Sequence, residues 1–162
     1  MATYIQIGST VTVGSGGASS IDFTSISSAY TDLVLKMCVA KTTGDNVVLS
    51  LNGSSSNFSY RLLEGDGSSA ASYNNTTGRL GFASSNTTTF SSGDLYIPNY
   101  ASSTNKSYSV DFVSENNATT AYADLTAGLW SNTAAITQVT ISAQSGLFVQ
   151  YSTATLYGIS KS

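Results

Sequence analysis

The chain has 162 residues, 41% hydrophobic and only 9% charged, with a net charge of −3 and no histidine. That length suits a single domain with a sizeable core, and ordinary hydrophobicity with little charge excludes a disordered chain, which combines the opposite traits. The six lysines and arginines are scattered, which excludes the clustered basic surface that nucleic-acid binding needs.

Helical periodicity is missing, and period-2 alternation takes its place. The first predicted strand lies within residues 1–13, where Tyr4, Ile5 and Ile7 precede Val11 and Val13. A strand of this kind can dock by adding itself to the open sheet edge of a neighbour, or can simply open the sandwich. The glycine-rich stretch 14–20, "GSGGASS", reads as a hinge between it and the body. "IDFTSI" follows, and then Tyr30, placed to lay its ring over the end of the sheet and bond backbone through its hydroxyl.

"TDLVLKMCVAK" is the spine. Leu33, Leu35, Met37 and Val39 share one face, and Val34, Lys36, Cys38 and Ala40 the other. The second face is half apolar, so the strand is covered on both sides, or covered on one and shielded at an interface on the other. Cys38, the only cysteine, reads as a buried small hydrophobe.

Further strands are predicted in "NVVLSLNG", "FSYRLLEG", "GRLGFA", "DLYIP", "KSYSVDFVS", "YADLTAGLW", "ITQVTIS" and "LFVQYSTATLYGI". "EGDGSSAASYNNTTG" reads as a long loop. Pro98, the only proline, closes "DLYIP", where a missing donor is tolerable. Many short strands separated by turns and without helices predict one all-β domain over residues 1–162. It is an antiparallel, jelly-roll-like β-sandwich of about 8–10 strands.

The residues offer little chemistry. Without histidine there is no Ser-His-Asp or Cys-His arrangement, and with one cysteine no Cys/His zinc site. Glu64 and Asp66 are the only close carboxylates in a glycine-rich setting. A glycosidase would need two such groups facing across a cleft, and a polar turn is the plainer reading. No catalytic residue, metal site or cofactor is expected. No apolar run approaches the roughly 20 residues that cross a bilayer, and the first residues lack the pattern of a signal peptide, so no membrane is expected and synthesis in a reducing cytoplasm is. Aromatic residues remain. Tyr100, Tyr122 and Trp130, set among Asn and Asp, are candidates for stacking on sugar rings or for packing inside the sheets.

"IDFTSISSAYTDLVL", "YIPNYASSTNKSY", "GLWSNTAAITQVTI" and "STATLYGI" together resemble a widespread group of small virion proteins of tailed bacteriophages. Ser27 stands where that group commonly carries proline after "FTSI". The resemblance implies a non-enzymatic structural protein on the virion surface, most concretely a capsid decoration (cement) protein. Its implied partners are the major capsid protein and further copies of itself, as a trimer. The alternative is a carbohydrate- or receptor-binding module of a head or tail fibre, and only that alternative involves a glycan.

Overall fold

A computed structural model describes residues 3–85 and 87–160. Its strands are β1 (Tyr4–Thr12), β2 (Ser20–Phe23), β3 (Asp32–Val39), β4 (Asp45–Leu51), β5 (Phe58–Gly65), β6 (Ala70–Asn75), β7 (Arg79–Ala83), β8 (Ser91–Ile97), β9 (Lys106–Glu115), β10 (Ala121–Trp130), β11 (Val139–Ala143) and β12 (Thr153–Ile159). They form two antiparallel sheets of unequal size. The large one runs β1-β12-β3-β8-β9-β10-β5-β6 and the small one β2-β11-β4-β7. The chain is an all-β sandwich, with twelve strands among the described residues where about 8–10 were expected.

Eleven of the twelve fall in segments read as strands; the one that does not is β6, inside the stretch read as a long loop. It completes a hairpin with β5, in register from Tyr60↔Asn75 to Gly65↔Ala70. As an edge strand with mostly exposed residues, it has no buried face to impose apolar alternation, so composition alone reads as a turn.

The small sheet lies on one face of the large one. Leu33, Leu35, Met37 and Val39 of β3 project into the space between, with Val47, Leu49 and Leu51 of β4, Ile21 and Phe23 of β2, and Val139 and Ile141 of β11. β3 sits inside the large sheet, paired with β12 and β8, which explains its concentration of apolar residues. On its opposite face Val34, 5% exposed and in register between Tyr157 and Tyr96, is shielded, and so is Ala40, just past the end of the strand, at 1%. Lys36 is exposed there. Cys38 is also exposed, against expectation, because it falls on the outward phase of the strand and the small sheet covers only the inward one.

Glycines admit rings. Phe112 lies against Gly81 of the small sheet and Gly93 of the large one, and Tyr108 lies against Gly128, its partner across β9 and β10. Trp130 stacks on Phe58, with ring centroids 6.2 Å apart at 26°. At one end, Ile26 N–H donates to Thr137, Ile136 N–H donates to Tyr100, and the Tyr100 hydroxyl donates to the Ser27 carbonyl. Tyr30 packs its ring over Gly158 as expected, but the hydroxyl-to-backbone bond of this corner comes from Tyr100.

β1 is the first strand of the large sheet, paired with β12 from Tyr4↔Ile159 to Thr12↔Thr153 and interrupted by a bulge between Ile7 and Val11. Gly8 occupies that bulge at φ +70°, the left-handed conformation that glycine adopts at little cost. Within the stretch 14–20, a turn closed by the Gly17 N–H on the Gly14 carbonyl leads through Ala18, pinned by reciprocal backbone bonds to Phe148, into β2 at Ser20.

Candidate interaction surface

The outward face of the large sheet carries the most unusual side chains. Along β10 the outward positions are Ala121, Ala123, Leu125, Ala127 and Leu129. In register beside Leu125 stand Leu63 on β5 and Asp111 on β9, and beside Ala123 stands Val113 on β9. Leu63 is 62% exposed, Leu125 56%, Val113 48% and Leu129 37%. Exposed apolar side chains clustered on one face, as opposed to scattered singly, are a feature of interaction sites. The strip is edged by one charge on each side, Asp111 on β9 and Arg61 on β5, which flanks Ala127. Arg61 donates to the Tyr60 carbonyl, and neither charge has an ion-pair partner among the described residues. Asp111 also lies opposite Asp94, an unfavourable like-charge pair, while Lys36 pairs with Asp94 from the other side at 2.5 Å. Open hollows of about 390 and 540 Å³ lie over these two regions; neither encloses a cleft.

The other half of the same face is aromatic. Tyr4 meets Tyr157 edge-on, with centroids 6.1 Å apart. Tyr96 donates its hydroxyl to Asp32, whose other oxygen accepts from the Asn99 N–H. Burial, with the Asp32 carboxylate beside it, raises the Tyr96 hydroxyl above its ordinary value, and the bond to Asp94 raises Lys36.

Of the docking residues expected on β1, Tyr4 and Ile5 are exposed, and Ile7 is half-buried against the core. The expected sugar-stacking set is not a platform. Tyr100 and Trp130 are fully buried because each falls at an end of the sandwich where its ring closes the core. Tyr122 is half-buried against Phe82, with centroids 4.9 Å apart.

Polar groups cluster inside the sandwich. Arg79 on β7 donates to Glu64 on β5 at 2.9 Å and approaches Asp124 on β10 at 3.6 Å, beneath the Tyr73 ring. Asp124 accepts the Phe82 N–H at 2.7 Å. Burial raises its carboxyl above the usual range, opposed by that N–H and by Arg79. Asp66 does not join Glu64. It turns into its own loop and accepts the N–H groups of Ser68 and Ser69, which hold it down at about 2. Lys41 pairs with Asp45, and Lys106 donates to the carbonyls of Ser102 and Thr104. Each cation thus anchors a local turn. The described residues hold no group of three or more His, Cys, Asp or Glu that could bind a metal.

No family model matches the chain, and no curated protein or solved structure matches it either.

The strip was legible in one respect. Leu63, Val113 and Leu129 each adjoin a buried apolar neighbour, namely Leu62, Phe112 and Trp130. Adjacent strand residues point to opposite faces, so within a strand one of each pair must face out.

Proposed function

We propose that this protein is a non-enzymatic structural component of a tailed-bacteriophage particle, a capsid decoration protein that attaches to the outer shell and stabilises it by surface fit. The observation carrying this reading is the apolar strip Leu63–Val113–Leu125–Leu129 on an outer sheet face of a chain with 9% charged residues. Such a surface favours broad adhesion, since rings and aliphatic groups buried against a partner supply most of the energy of association. Three of the four segments that carry the phage resemblance meet in space around Ser27, Tyr100, Ile136 and Thr137, which supports treating those three as one structural unit. Repeated weak contacts across a shell of symmetric sites give strong retention through avidity.

The test uses phage particles stripped of this protein. Purified protein added back should bind saturably, at a copy number set by shell symmetry, and raise the temperature at which the particles release DNA. Binding at the tail tip alone, or no binding, would overturn the reading.

A second reading, carbohydrate recognition by a fibre module, gains from the Tyr4–Tyr96–Tyr157 patch beside Asp32, since rings with an adjacent carboxylate suit sugar faces and hydroxyls. Selective binding on a glycan array, lost in Tyr4→Ala, would favour it.

A further inference from the structure

We infer that the apolar strip on β5, β9 and β10 is a self-association face, on which two copies of this chain pack sheet to sheet about a two-fold axis. The inference rests on the adhesive reading above and names the partner of its strip.

Area is the first argument. β10 contributes ten residues, about 34 Å of strand, and β9, β10 and β5 span about 14 Å at the usual strand spacing. The footprint is therefore on the order of 500 Å² per copy, and two copies together reach about 1,000 Å², the size of a weak, reversible association. A smaller partner, such as a single peptide strand, would leave much of the strip wet.

Charge is the second. Asp111 and Arg61 stand on opposite sides of β10, on β9 and β5. A two-fold axis lying along β10 sets β9 of each copy over β5 of the other. Arg61 of one copy then lies one residue row, about 7 Å, along the strand from Asp111 of the other and across a sheet-to-sheet gap of about 10 Å, a span the two side chains bridge together. Both crossings of the pair form at once, as an isologous contact requires. Each also gives Asp111, which lies opposite the Lys36-paired Asp94, the cation it lacks among the described residues of one chain. An axis across the strands would instead set β9 over β9 and oppose like charges. The strip thus fits a second copy in one orientation, a two-fold and not the three-fold that the phage resemblance implies.

Light scattering of the purified protein at about 100 µM should give twice the 16.8 kDa chain mass. Leu125→Asp should return it to monomer with an unchanged circular dichroism spectrum. Arg61→Asp should weaken the dimer at least tenfold, and adding Asp111→Arg to that variant should restore it, which a misfolded chain could not do. A wild-type monomer, a trimer insensitive to Leu125→Asp, or failure of the charge swap to rescue would overturn the inference. Add-back to stripped particles is scored separately. Attachment by a monomeric wild type would remove the dimer and leave the decoration reading, and a dimer that never attaches would do the reverse.

Discussion

Gly128 shows how much of this fold is decided by the absence of a side chain. Its position on β10 lies directly across from Tyr108 on β9, and a Cβ there would overlap the Tyr108 ring. The ring in turn meets Phe58 edge-on, with centroids 6.2 Å apart, and Phe58 stacks on Trp130. Displacing Tyr108 therefore disturbs a chain of three large rings in a core that has no slack. Gly128→Ala should cost about 1–3 kcal/mol, the usual penalty of overpacking. Gly65, near the end of β5, faces open space, and Gly65→Ala should be neutral or stabilising by a few tenths up to about 1 kcal/mol, because alanine loses less backbone freedom on folding. Urea denaturation of the two variants distinguishes these outcomes. Equal effects would mean that ring packing at Gly128 is not what requires glycine.

Among the elements, the join between β7 and the large sheet rests on Arg79. Arg79→Ala leaves Glu64 and Asp124 side by side on paired strands without a cation, and breaking a buried pair from one side costs about 3–5 kcal/mol. The loss should depend on pH in a defined direction. The Asp124 carboxyl titrates above its ordinary value in the folded chain, so the folded state holds this proton where the unfolded state has released it. Its contribution to stability is greatest below the unfolded value of 3.8 and declines as pH rises through the folded one. Without Arg79 that decline steepens, so the deficit of Arg79→Ala should be largest near pH 7 and shrink toward pH 4, as thermal melts across that range would show. A deficit independent of pH would place the role of Arg79 in packing over Tyr73. How much of this was legible varied by element. β9 alternates strictly between buried and exposed and could be read from "KSYSVDFVS" alone, because both neighbours and one covering sheet constrain it. β6 could not, since it has one neighbour and no cover. The Glu64–Arg79–Asp124 cluster was equally hidden: its members come from three strands, and only the hairpin and sheet order bring them together. Cys38 failed for a simpler reason, as an apolar neighbourhood in sequence does not say which phase of a strand faces the core.

At the scale of the whole molecule, the sparse charge decides how its associations respond to salt. The strongest internal ion pairs are spent on turns and on the Arg79 cluster, and the strip itself offers one acid and one base. Exposed pairs of that kind contribute about 0.2–1 kcal/mol each and are screened at high ionic strength. Apolar burial is not screened, and sulfate strengthens it by exclusion from the surface. Self-association through the strip should therefore weaken by no more than about thirtyfold between 50 and 500 mM sodium chloride, even with both Arg61–Asp111 crossings fully screened. It should tighten when sodium sulfate replaces the chloride. Sedimentation equilibrium in the two salts measures both effects. A dimer that dissociated steeply with sodium chloride would place its energy in charge, and the Leu63, Val113, Leu125 and Leu129 surface would then be a bystander to whatever contact holds the copies together.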